Sequence, residues 1–186
     1  MNLSLFIVVL GGRSMKSNIE IHDVRWVLGE SIEDTFPELR KQWIGKIKGL
    51  HIDSYKRIKY IDGYKIVIYK SNKDNLIDHK IEDESLWFIN LGGYDPKKMH
   101  EEHEFTLVVA KTSIDAKKRA RKNWEAKLEK KHNDDFLGIK SFEPVVDDIH
   151  SIKKIKNWEI RLISDPQERS EKLIPDWYGY KRIDRN

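Results

Sequence analysis

The chain repeats itself, and this constrains its folding more than any other property of the sequence. Leu5-Phe6-Ile7-Val8-Val9-Leu10-Gly11-Gly12 matches Leu86-Trp87-Phe88-Ile89-Asn90-Leu91-Gly92-Gly93 at an offset of 81 positions. The same offset sets His22-Asp23 on His103-Glu104, Val27 on Val108, Ser31 on Thr112, Asp34 on Asp115, Leu39 on Ala120 and Trp43 on Trp124. Beyond the tryptophans the offset becomes 94, which pairs Asp53 with Asp147, Ile58 with Ile152, Ile61 with Ile155, Tyr64 with Trp158 and Ile66 with Ile160. The second copy therefore carries 13 additional residues. They are expected near 125–144, where Lys130-Lys131-His132-Asn133-Asp134-Asp135 interrupts the apolar pattern. A self-similarity of this length governs how every later element is assigned.

Periodicity supplies the elements of one unit. Residues 5–10 form a nearly unbroken apolar run closed by Gly-Gly, the pattern of a strand buried on both faces. In His22–Leu28, Val24, Trp26 and Leu28 alternate with polar neighbours, and Phe105, Leu107 and Val109 do the same in the second copy. Ser31 and Thr112 each precede an acidic residue by three positions, a helix-start signal. Ile32, Phe36, Leu39, Trp43 and Ile47 then lie on one helical face, with Pro37 pointing to a helix start near Thr35. Ser54–Ile61 and Tyr64–Tyr69 flank Asp62-Gly63, a pair suited to a tight hairpin turn, with Lys156-Asn157 as its weaker counterpart.

These readings predict an α+β fold of tandem β-β-α-β-β units. Each unit has antiparallel strands and one main helix, and the two are paired about a pseudo-twofold axis. The expected boundaries are residues 1–70 for the first unit, 71–85 for a polar linker, 86–163 for the second unit and 164–186 for a tail. Trp177, Tyr178 and Tyr180 in that tail predict that it packs on the body or on a neighbour.

Over 186 residues, 39% apolar content with six Trp, seven Tyr and six Phe is enough for a core. There is no cysteine, which excludes disulfides, thiolate metal sites and a Cys nucleophile. Leu3–Leu10 lacks a basic flank and a cleavage site, its match lies in mid-chain, and no apolar run reaches the roughly 20 residues of a membrane helix. A cytoplasmic protein with no membrane partner is the expectation. Net charge is +4, with 35% charged residues of both signs, as in a well-solvated surface.

Leu5–Arg13, Asn18–Val24, Gly29-Glu30-Ser31, His51-Ile52-Asp53 and Asp62-Gly63-Tyr64 resemble the bacterial family catalogued as domain of unknown function 1543, whose members carry one or two copies of such a unit. The resemblance implies architecture and brings no activity, substrate or catalytic residue. The second copy departs from the pattern, with Tyr94 at the place of Arg13 and Val145 at that of His51.

Several residues are candidates for chemistry. Gly11 and Gly12 with Arg13 offer backbone amides and a cation for a small anionic ligand, while His22 beside Asp23 offers a proton-transfer pair. His51 belongs to the same ligand-binding set. His100 and His103, within His100-Glu101-Glu102-His103-Glu104, carry imidazole and carboxylate donors, but their spacing of three sends them to opposite faces of a strand, so no metal or other cofactor is expected. The basic helix 116–131 offers contacts to phosphates, although no aromatic RNA-binding motif accompanies it and a solvated helix face is the preferred account of its charge. P-loop, Rossmann and nucleophile-elbow signatures are absent from the sequence.

The expected function is therefore a non-catalytic small-ligand or protein-interaction module, as a monomer or homo-oligomer. The alternatives are an enzyme using His22 and Asp23 with Arg13 on an anionic substrate, and a nucleic-acid binder using the basic helix.

Overall fold

The computed structural model describes residues 2–70, 83–94, 98–132 and 145–185. Most of the proposed linker and inserted segment lies outside the described residues, as do the side chains of 125–132, including Lys127, Lys130 and Lys131 of the basic helix. In chain order the elements are β1 (Ser4–Gly12), β2 (Ile21–Gly29), a 3-10 turn (Glu33–Thr35), α1 (Phe36–Gln42), β3 (His51–Ile58), β4 (Tyr60–Ile61) and β5 (Tyr64–Lys70). There follow β6 (Ser85–Tyr94), β7 (Glu101–Ala110), α2 (Ser113–His132), β8 (Val145–Ser151), β9 (Lys154–Ile155), β10 (Trp158–Ser164) and β11 (Trp177–Arg182). The fold is mixed α+β, with antiparallel sheets and two α-helices among the described residues.

Among the described residues three sheets form, ordered β11-β3-β1-β2, β4-β5-β10-β9 and β7-β6-β8. On β1, Phe6, Val8 and Leu10 face α1 and pack with Leu39, Trp43 and Ile52, whereas Leu5 and Ile7 enter a second core. That second core also takes Ile66, Ile160, Leu86, Phe88 and Leu107, so it draws on all three sheets. On the far side, α2 covers Ile89, Leu91 and Val108 with Ala116, Ala120 and Trp124. The apolar runs of β1 and β6 are continuous because each strand is covered on both faces.

Local signals and structure agree at several points. Asp62 and Gly63 adopt φ of +50° and +82°, the left-handed pair that a two-residue hairpin requires, and Lys156 adopts +53° in the matching turn. The Ser31 amide donates to Asp34 Oδ2 at 2.8 Å and the Asp34 amide to Ser31 Oγ at 3.3 Å. In the second copy the Asp115 amide donates to Thr112 Oγ1 at 3.1 Å. The first capping pair serves the 3-10 turn, and α1 begins after it with Pro37 in its first turn.

Two expectations change. The helical stripe extends to Ile47 in the sequence, but α1 ends at Gln42. Trp43 turns to extended backbone, its indole N–H donates to the Lys46 carbonyl at 3.0 Å, and the Lys46 amide donates to the Arg13 carbonyl at 2.7 Å. Docking Trp43 against Gly12 thus outweighs continuing the helix, and Ile47 is left exposed. The expected strand 54–61 is divided at Lys59, because β3 pairs with β1 while β4 joins β5 in another sheet.

β11 extends the first sheet by pairing with β3. Ile183, just beyond it, is buried in the α1-side core, and its amide donates to the Leu50 carbonyl at 3.0 Å. Trp177 stacks on Tyr55 with ring centroids 6.0 Å apart, while Tyr178 and Tyr180 stay largely exposed, as befits an edge strand.

Candidate functional site

The C-terminal end of β1 gathers the ionisable side chains. Gly11 faces His22 on β2 and His51 on β3, so one glycine lies between two histidines across the sheet. The β1–β3 register shifts between Val9 and Leu10, leaving Asp53 as the residue without a partner on β1. Asp53 Oδ2 lies 3.2 Å from His22 Nε2, and its Oδ1 lies 3.2 Å from His51 Nε2. Glu20 Oε1 approaches His51 Nε2 at 3.4 Å, and His51 Nδ1 lies 2.9 Å from the Gly49 carbonyl.

His51 is 1% exposed and its ring is covered by that of Tyr180 at 4.1 Å. Both of its nitrogens face oxygen acceptors. Gly11 makes this arrangement possible, since a Cβ there would stand 2.4 Å from His51 Nε2 and 3.0 Å from Asp53 Oδ2. His22, by contrast, is about half exposed, so its second nitrogen is open to a ligand while Asp53 holds the first.

The second copy carries the same core of residues. Gly92 faces His103, the β6–β8 register shifts between Asn90 and Leu91, and Asp147 is the residue left without a partner on β6. His103 Nδ1 lies 3.3 Å from Asp147 Oδ2, and Glu101 Oε2 lies 3.9 Å from His103 Nε2. Tyr94 donates its hydroxyl to Glu101 Oε2 at 3.0 Å, and this carboxylate holds the phenol above its ordinary pKa. Val145, at the place of His51, is exposed.

The sequence candidates are thereby sorted. His22, His51 and Gly11 come together. Asp23 does not join them: neighbouring strand residues face opposite ways, and Asp23 pairs with Arg25 and accepts from the Val24 amide. Gly11 and Gly12 lie inside β1 and not in a loop of free amides, with Gly12 supporting Trp43, whose ring would be 2.8 Å from a Cβ at that position. Arg13 is exposed beyond the end of the strand. His100 lies before β7, apart from His103, and among the described residues no group of three or more His, Asp or Glu side chains is placed to hold a metal ion.

Glu20 and Asp53 were not among the candidates, although each recurs as an identical residue, Glu101 and Asp147, at the offsets of the repeat. Tyr180 belongs to the tail whose aromatics predict packing, but no local signal in the sequence directs its ring to His51. With Glu20 and Asp53 present, the surroundings of His22 favour a hydrogen-bond donor or a cation over an anion.

The profile of the family described as Domain of Unknown Function (DUF1543) matches residues 17–68 and again 98–145. The chain belongs to the DUF1543 family. Both matches of this DUF1543 protein include the Glu-x-His segment of the site, at Glu20–His22 and Glu101–His103. In fold it is similar to the crystal structure of a protein Il1583 from Idiomarina loihiensis, with a TM-score of 0.71 and 31% identity, covering 98% of each chain. No curated protein matches it in sequence.

Proposed function

We propose that this DUF1543 chain is a non-catalytic binding module built from two β-β-α-β-β units, with a small ligand seated on the exposed His22–Asp53 pair. The units are residues 1–70 and 86–163, related by a pseudo-twofold axis. Their equivalent strand orders, β3-β1-β2 and β8-β6-β7, and bulges at positions 81 apart support that reading. The observation that carries the function is the recurrence of Gly, Glu, His and Asp around each bulge. The ligand presents a donor or cationic group to Asp53 and Glu20, and His22 accepts or donates through its open nitrogen.

Titration of the intact protein with small amines and, separately, with phosphate tests this by nuclear magnetic resonance. Amine-dependent shifts at His22 and Asp53 that vanish in Asp53→Asn are expected. Shifts with phosphate alone would overturn the assigned polarity.

The 3.2 Å His22–Asp53 contact favours a second reading, a general acid–base pair in which Asp53 orients the imidazole. Turnover of general hydrolase substrates that disappears in His22→Ala, with the fold intact, would establish it over the first. Binding of nucleic acid by Lys118, Arg121 and Lys122, exposed on α2, is tested by a gel shift at low salt.

A further inference from the structure

Among the described residues β7 is the outer strand of its sheet. In an antiparallel strand, the N–H and C=O of one residue point to the same side, and the side alternates along the chain. Val109 sets the direction: its amide donates to Asp62 Oδ2 at 2.9 Å and its carbonyl accepts from Arg119 Nη1, so its main-chain groups point away from β6. His103, Phe105 and Leu107 share that parity. Along this row, the Leu107 carbonyl meets the Thr106 hydroxyl at 3.5 Å, and the remaining N–H and C=O groups of His103, Phe105 and Leu107 meet no partner among the described residues.

This row opens into a groove of about 720 Å³ that straddles the strand edge. One lip is α2 at Ala120 and Asn123, and the other is the segment 170–174 at Leu173 and Ile174. Ile174 is 64% exposed there, an apolar surface without cover. Acidic groups mark the His103 end, where Glu101 and Asp147 flank the imidazole. The first copy lacks the feature, because the Val24 amide, equivalent to that of Phe105, is taken by Asp23 Oδ1 at 2.8 Å.

We propose that this groove receives an extended peptide as an added strand on β7. Its main chain pairs with His103, Phe105 and Leu107, apolar residues at alternate positions lie toward Leu173 and Ile174, and a Lys or Arg at one end sits beside Asp147 and Glu101. The site is distinct from the His22–Asp53 pair and does not depend on a ligand there.

Two measurements on the full chain test it. In the free protein, amide exchange should be fast at Phe105 and Leu107 and slow at Thr106 and Val108, which point to β6. Slow exchange at Phe105 and Leu107 would show the edge already occupied and overturn the proposal. Peptides selected from a displayed library should alternate apolar residues and carry a basic end. N-methylation of the alternate amides that face β7 should weaken them about tenfold or more, while methylation of the intervening amides should not. Failure to select any peptide, or equal binding by the methylated forms, would overturn it.

Discussion

At Gly11 the absence of a side chain is a packing requirement. An added methyl would stand 2.4 Å from His51 Nε2, and the buried ring has no room to withdraw beneath Tyr180. Gly11→Ala should therefore cost about 1–3 kcal/mol in urea unfolding; an unchanged midpoint would contradict the contact. A second residue-scale outcome concerns Asp165, whose buried carboxylate accepts from Arg169 Nε at 2.8 Å and from the Arg169 amide at 2.9 Å. The guanidinium holds this carboxyl well below the usual carboxylate range. A folded pKa below the unfolded value of about 3.9 means that the stabilisation is complete above that pH and is lost as pH falls through the folded value. The stability difference between the native chain and Asp165→Asn should accordingly be constant near neutrality and shrink below about pH 4. A difference that grows on acidification would reverse the assignment.

Among the elements of the described residues, β11 has no counterpart in the second copy. It arrives from beyond both copies, pairs with β3 and brings Tyr180 over His51 and Ile183 into the α1-side core. Ile183→Ala should cost about 2–5 kcal/mol, read from the denaturation midpoint, whereas Tyr178→Ala, exposed on the same strand, should stay within about 0.5 kcal/mol. Equal effects would mean that β11 is not anchored as described. Elements with strong local chemistry were legible from the chain: β1 and β6 by their apolar runs, the hairpin by Asp62-Gly63, the 3-10 turn before α1 by Ser31-x-x-Asp34 and the start of α2 by Thr112-x-x-Asp115. The end of α1 was not, because the apolar spacing of Ile32 to Ile47 continues through a point where Trp43 is recruited by Gly12, a contact remote in sequence. The division between β3 and β4 was hidden for the same reason. Alternation along 54–61 does not reveal that its two ends pair in different sheets.

For the whole molecule, the decisive pairing is β5 with β10, which runs antiparallel from Tyr64–Ser164 to Lys70–Trp158 and joins the two halves of the chain in one sheet. The core around it mixes Leu5, Ile7 and Ile66 with Leu86, Phe88 and Ile160, so neither half holds a complete apolar interior. Unfolding followed by tryptophan fluorescence and by far-ultraviolet circular dichroism should give one coincident transition. A fragment of residues 1–70 should not fold as a monomer. Two separated transitions would show independent halves.

The sequence by itself determined the repeat, its offsets and the family, because these depend on local pattern or on comparison of the chain with itself. The partner of His22 was decided only in three dimensions. Asp23 is adjacent in sequence but turned to the opposite face, whereas Asp53, some thirty residues away, is brought against His22 by a bulge and by the empty space over Gly11. Strand alternation separates sequence neighbours, and sheet pairing unites distant residues. The chemistry of this site therefore depends on register, which no single stretch of the chain specifies.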